Sequence, residues 1–212
     1  MSASTADDPD RNNRPRKPAA ADRRQQIIAA AWRVICRDGV SAASLRTIAA
    51  EMDATTGLVT RYFPEKQALL LAALDEACQR LCRAIKDASA NYSKMAQVEA
   101  VLLAALPVSP ESRAAWRVWL AFIGELAPAP ELARAHGVFP GALRQLLVHG
   151  LREAQLAGQI AQDTYPPQLA DMALSQVVGL AVRGISEPDR YPAEKLPGLM
   201  APFFARFVDR LD

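Results

Sequence analysis

Residues 44–66 limit what this chain can fold into more than any other stretch, reading Ser-Leu-Arg-Thr-Ile-Ala-Ala-Glu-Met-Asp-Ala-Thr-Thr-Gly-Leu-Val-Thr-Arg-Tyr-Phe-Pro-Glu-Lys. Ser44 precedes an apolar run, so its side-chain oxygen can accept from the free backbone N–H groups at a helix start. Leu45, Ile48, Ala49 and Met52 then recur at helical spacing. Ala49 and Ala50 are small enough to let a crossing helix approach. Asp53 falls where the chain has to turn, and aspartate tolerates left-handed geometry better than most residues. Thr55 can cap a second helix, with Leu58, Val59 and Phe63 as its apolar anchors. Its open face then carries Thr56, Gly57, Thr60 and Arg61. Pro64 ends it, because proline removes a backbone donor and clashes with the preceding turn.

Two short helices joined by a tight turn, with small polar and basic groups at the start of the second, are the arrangement that enters a DNA major groove. Gly57 bears on this reading. Glycine inside a helix costs about 1 kcal/mol against alanine. Close approach of the backbone to DNA gives one reason to keep it, and a helix-packing contact gives another.

The stretch from Arg-Arg-Gln-Gln-Ile-Ile-Ala-Ala-Ala-Trp through Tyr-Phe-Pro-Glu-Lys-Gln-Ala-Leu-Leu, residues 23–70, resembles the DNA-binding domain of the TetR family of one-component regulators. The Thr-Thr-Gly-Leu-Val-Thr-Arg-Tyr-Phe run is closest to the BetI-like branch. The resemblance implies that Ser44, Thr55, Tyr62 and Lys66 hold phosphates and set the register. Thr56, Gly57, Thr60 and Arg61 would face base edges. Arg61 is the strongest candidate for reading sequence, since a guanidinium pairs bidentately with guanine and such a pair discriminates by about 1–3 kcal/mol. Arg46 is either a phosphate contact or a solvated surface charge. Tyr62 is either a phosphate contact or a partly buried core residue. Asp53 stands where the family usually has glycine, and Thr60 and Arg61 stand where tyrosine and histidine are common. The fold expectation survives these departures; an operator sequence does not carry over.

The charge distribution agrees. The whole chain carries a net +2. Residues 11–66 hold +6, residues 67–212 hold −1 and residues 1–10 hold −3. Positive charge thus collects on the stretch where phosphate attraction and counterion release would use it. Residues 1–20 read as a disordered polar tail, short of large apolar side chains. Arg11, Arg14, Arg16 and Lys17 give it reach toward phosphate or a minor groove, or simply solubility. The tail lacks the apolar core of a signal peptide, and no run reads as a bilayer span. A cytoplasmic protein with no membrane partner is expected.

With 212 residues, 50% of them hydrophobic and only 6% aromatic, the chain reads as packed helices. The expected fold is all-α, with about nine helices. Residues 21–66 would form the helix-turn-helix domain and 67–212 a helical effector-binding and dimerisation domain. The helices are expected near 20–38, across the two-helix motif, and near 66–89, 94–106, 109–126, 131–157, 167–186 and 193–210. The 131–157 helix is liable to interruption around Gly137 to Gly141. Gly39 and Gly158 read as stop signals, and Ser109-Pro110 as a start.

The last two helices are the expected homodimer interface. Leu169, Met172, Ala173, Gln176, Val177, Leu180 and Ala181 line the first; Leu196, Leu199, Met200, Phe203, Phe204 and Phe207 line the second. The same stripes would also serve as subunit core. A major-groove reader generally needs two half-sites about one helical turn apart, which favours the dimer. Trp116, Trp119, Leu120, Phe122 and Ile123 concentrate apolar surface in one stretch and are the expected wall of an effector pocket. Arg113, Arg117, Glu125, Gln145 or His149 would supply its polar groups. Core packing explains the same aromatics. A tryptophan pair beside a carboxylate would also suit a quaternary amine.

Cys36, Cys78 and Cys82 are too few for a disulfide framework and read as small buried hydrophobes. No cofactor or metal is expected, since two thiols without a nearby histidine make a poor zinc site. No nucleophile elbow, glycine-rich phosphate loop or HExxH pair occurs, so an enzyme is not expected. The expected partners are a palindromic operator on double-stranded DNA and a small-molecule effector. The alternative is a helical binding or protein-interaction protein without sequence-specific affinity for DNA.

Overall fold

The computed structural model describes residues 20–208, with side chains described through residue 205. Residues 1–19 of the expected tail, and the side chain of Phe207, lie outside that range. Ten α-helices occur among the described residues: α1 Ala20–Asp38, α2 Leu45–Glu51, α3 Thr56–Tyr62, α4 Lys66–Ser89, α5 Lys94–Ala104, α6 Pro110–Ala121, α7 Pro130–His136, α8 Val138–Leu156, α9 Pro166–Ser186 and α10 Leu196–Val208. Single 3₁₀ turns lie at Ile123–Glu125 and Ala193–Lys195, and no strand is present among these residues.

Local chemistry explains most boundaries. Gly39 (φ 84°) and Gly158 (φ 71°) take the left-handed geometry that ends α1 and α8. Ser109 and Ser112 form a reciprocal capping box ahead of α6, with Pro110 at its first turn. The expected 131–157 helix divides at Gly137 into α7 and α8. One turn after His136 stands Pro140, which has no N–H to give the His136 carbonyl. The Trp119 indole takes that role, donating to the His136 carbonyl at 3.2 Å. His136 Nε2 donates in return to the Trp119 carbonyl at 3.1 Å, and the two rings stack 3.8 Å apart.

This pair makes His136 a neutral, buried part of the core. Burial holds its imidazole below the ordinary value of 6.5, with the Trp119 carbonyl opposing in part. The unfolded chain therefore takes up the proton more readily than the folded one. The His136 contribution to stability is complete above about pH 6.5 and declines as pH falls from there through the folded-state value. Denaturant midpoints measured from pH 7.5 down to pH 5 are expected to drop, and His136→Gln to flatten that decline.

α4 is the central element. Its 24 residues extend about 36 Å at 1.5 Å per residue. It packs on α1 at its start and on α5, α6, α7 and α8 along the rest. The α5–α8 contact is close: a Cβ at Gly150 would lie 2.8 Å from Val98 Cγ2. One sequence expectation needs correction here. α9 is 21 residues long and apolar enough, by length and composition alone, to cross a membrane. In the fold it packs against α8, α6 and α5.

Candidate nucleic-acid interface and effector cavity

The α2–turn–α3 unit forms as its residues dictate. Ser44 Oγ accepts from Thr47 N–H at 3.0 Å and lies 2.7 Å from the Thr47 hydroxyl, capping α2. Asp53 makes the turn in the left-handed region (φ 50°). Thr55 Oγ1 accepts from Leu58 N–H at 3.4 Å, capping α3. Ile48, Ala49, Val59 and Phe63 are buried and anchor the pair on α1 and on each other.

Thr55, Thr56, Gly57 and Arg61 are exposed in one helical surface, with Arg46 and Lys66 exposed nearby. Lys66 donates to the Ser41 carbonyl at 3.4 Å, which ties the first turn of α4 to the loop before α2. Thr60 is half-buried and its hydroxyl donates to the Gly57 carbonyl at 3.2 Å. Tyr62 is half-buried and packs against the core. Its ring is therefore structural, whatever the phenol oxygen contacts.

No atom lies within 4 Å of a Cβ placed on Gly57. No packing contact outside its own helix accounts for this glycine, which lies on the open surface of α3. Gly57→Ala is expected to stabilise the fold by up to about 1 kcal/mol and so raise the melting temperature modestly. The same change is expected to weaken DNA binding. Thermal melts and DNA titrations on one preparation measure both.

Sequence reading missed the clamp behind this surface. Glu51 ends α2 and accepts from Arg33 at 2.7 Å and Arg37 at 3.0 Å, both on α1. The two guanidinium groups hold the Glu51 carboxyl below its usual range. Arg33 and Arg37 stand four apart, facing an acid at a helix end, and that spacing was the available signal. The clamp also means that part of the basic excess is neutralised internally. Arg46 and Arg61 form no ion pair among the described residues.

α1 is joined to α4 as well. Trp32 Nε1 donates to the Ala73 carbonyl at 3.0 Å. Arg80 stacks over the Trp32 ring at 4.5 Å and pairs with Glu76 at 2.7 Å. At its other end α4 borders a cavity of about 580 Å³. Cys82, Ile85, Lys86 and Ser89 line it from α4, Ala90 from the turn after it, Gln97 from α5, and Phe139, Ala142, Leu143, Gln145, Leu146 and His149 from α8.

The residues expected to wall an effector pocket lie elsewhere. None of Trp116, Trp119, Leu120, Phe122 and Ile123 lines the cavity. Trp116, Trp119 and Phe122 are buried in the core, Leu120 is half-buried against it, and Ile123 is 50% exposed. Trp116 Nε1 donates to the Ala105 carbonyl at 2.8 Å, and its ring meets Trp119 edge-on at 5.2 Å. Phe139 is the link, meeting Trp116 and Trp119 edge-on at 5.6 and 6.2 Å while forming part of the cavity wall. The aromatic cluster is therefore the layer behind the wall. Of the expected polar residues, Gln145 and His149 line the cavity; Arg113 instead donates to the Gly184 carbonyl at 3.3 Å.

Cys78 is buried as expected, while Cys36 and Cys82 are half-buried. Burial pushes all three thiols up, Cys78 to about 11. Cys36 and Cys78 point their sulfurs at the carbonyls of Ala114 and Ala135.

On α9, Leu169, Ala173, Val177, Leu180 and Ala181 are subunit core, as are Leu196 and Met200 on α10. The outward side is a different set. Met172, Val182 and Leu199 are 50%, 40% and 41% exposed. Gln176 and Gly179 are exposed among them, and nothing lies within 4 Å of a Cβ on Gly179. Phe203 and Phe204 are half-buried, with ring centroids 6.1 Å apart.

A capped helix-turn-helix with an exposed second helix, joined by one long helix to a cavity-bearing helical body, defines a DNA-binding transcriptional regulator of the ligand-responsive type. Residues 27–73 match the bacterial regulatory proteins of the tetR family, and residues 94–209 match the C-terminal domain of BetI-type transcriptional repressors. The chain belongs to the TetR family, with a BetI-type C-terminal domain. It is similar to the transcriptional regulator PksA of Bacillus subtilis, 30% identical over 177 residues, which cover 82% of this chain and 84% of PksA. The regulator BetI of Stenotrophomonas maltophilia is 30% identical over 188 residues, covering 85% of this chain and 90% of its own. A regulator from Saccharomonospora viridis, solved in complex with choline, shares the fold: TM-score 0.79, 20% identity, 86% of this chain and 95% of that one.

Proposed function

We propose that this chain is a homodimeric repressor that leaves a palindromic operator when a small molecule fills the 580 Å³ cavity. Residues 21–66 act as the reader and 67–212 as the effector-binding and dimerisation part. Thr56, Gly57, Thr60 and Arg61 face the bases; Ser44, Arg46, Thr55, Tyr62 and Lys66 hold the backbone. The observation that carries the reading is α4. Its first residue, Lys66, bonds to the loop that precedes α2, and its last turns, Ile85 to Ser89, wall the cavity. The Trp32–Ala73 bond and the Arg80 stack make α1 move with it. A shift of α4 on ligand binding therefore changes the separation of the two α3 helices in a dimer. The ligand needs only to bind the off-DNA arrangement better by a few kcal/mol.

Dimerisation goes through the outward side of α9 and α10. Met172, Val182 and Leu199, with Gln176 among them, leave a largely apolar strip with a gap at Gly179 where a partner helix fits closely. The protein acts in the cytoplasm, where its operator is. Val182→Glu tests the link between assembly and function. The side chain is 40% exposed, so the subunit is expected to fold. Sedimentation is expected to give a monomer that no longer retains DNA containing two half-sites. A dimer with unchanged DNA affinity would place the interface elsewhere.

A further inference from the structure

We propose that the effector class is an organic monocarboxylate with an apolar body, its anionic end held at the Lys86 rim of the cavity. The inference rests on the reading of this cavity as the effector site. It is carried by the charge and polarity of the lining. Lys86 is the one charged side chain there, and neither aspartate nor glutamate lines the cavity. Lys86 forms no ion pair among the described residues, whereas Arg80 and Arg83, on the preceding turns of α4, both reach Glu76. The other polar side chains are Ser89, Gln97, Gln145 and His149. None carries negative charge; Gln97, Gln145 and His149 can donate a hydrogen bond to a ligand, while the Ser89 hydroxyl already donates to the Lys86 carbonyl at 3.5 Å. Gln145 and His149 stand four apart on α8, so they share one side of that helix.

The floor is apolar. Ile85, Phe139 and Leu143 are buried, and Cys82 and Leu146 are half-buried beside them. The volume falls within the range of small-molecule sites, and its Lys86, Ala142, Gln145 and His149 side is open to solvent. A carboxylate at the rim gains a charge-assisted bond from the ammonium, with amide donors beside it. A quaternary amine finds the opposite. It needs aromatic faces or a carboxylate. Phe139 is the one phenylalanine, tyrosine or tryptophan in the wall, the Trp116 and Trp119 rings lie behind it, and Lys86 repels a cation. The chemistry thus departs from choline, the ligand of the Saccharomonospora viridis protein.

Calorimetric titration of the full chain with decanoate, decyltrimethylammonium and 1-decanol, the first two below their micelle concentrations and the alcohol below its solubility limit, tests this, with 2-naphthoate as a second acid. Decanoate or 2-naphthoate is expected to bind at least tenfold more tightly than decyltrimethylammonium. Lys86→Gln, on an exposed side chain, is expected to weaken the acid about tenfold and leave decanol unchanged. Ala142→Trp, also exposed, is expected to fill the cavity and abolish all binding. Equal or tighter binding of decyltrimethylammonium, an acid affinity indifferent to Lys86→Gln, or no binding of either acid would overturn the proposal. If the ligands that do bind are lost in Ala142→Trp, the cavity still stands as the effector site. Binding that survives Ala142→Trp would overturn both.

Discussion

Trp116→Ala is expected to cost about 3–5 kcal/mol of folding stability, the range for removing a large buried aromatic. The side chain is fully buried, meets two other aromatic rings, and donates to the Ala105 carbonyl. Removal leaves a cavity and orphans that carbonyl together. Domains are stable by only about 5–15 kcal/mol, so the loss is a large share of the total. Trp116→Phe keeps most of the packing and is expected to cost much less. Chemical denaturation of the three proteins measures this directly. A Trp116→Ala protein with wild-type stability and altered ligand affinity would restore the pocket role that the sequence alone suggested.

Arg61→Ala is expected to abolish sequence discrimination rather than general DNA affinity. A bidentate guanine contact discriminates by about 1–3 kcal/mol, and a dimer carries two copies, so the specific complex stands to lose about 2–6 kcal/mol. The variant's stability is expected to match wild type, because the side chain is exposed and unpaired. Arg46→Ala and Lys66→Ala are expected to behave differently. They weaken binding to all sequences alike and, with two copies in the dimer, reduce the slope of log affinity against log salt by about 2 each. Titrations on operator and scrambled DNA at two salt concentrations separate these outcomes.

The reader was legible because short-range chemistry builds it. Ser44 and Thr55 cap the helices they precede, Asp53 takes the left-handed turn, and Pro64 follows the end of α3. Each of these depends on neighbours within a few positions. The cavity was not legible, because a void depends on where helices end up relative to one another. Trp116 and Trp119 stood out in the sequence for their size, and size is what a core consumes first. The residues that line the cavity are ordinary ones such as Ala142, Leu143 and Gln145, and nothing in their spacing distinguishes an open space from a packed one. The stripes on α9 and α10 mixed inward and outward residues for a similar reason. Leu169 and Val177 face inward, Met172 and Val182 outward, and an apolar helix reads alike on both sides. The division at Gly137 was half visible. The glycines marked a weak point, but the cause was Pro140 leaving a carbonyl for an indole 17 positions away.

The measurement that tests the central claim most directly is selection of bound sites from a random double-stranded DNA library by the wild-type protein at near-physiological salt. A two-fold symmetric motif is expected, its half-sites one helical turn or a multiple apart. Failure to enrich any sequence over the starting library would contradict the account and leave a helical ligand-binding protein whose α2–α3 unit serves another partner.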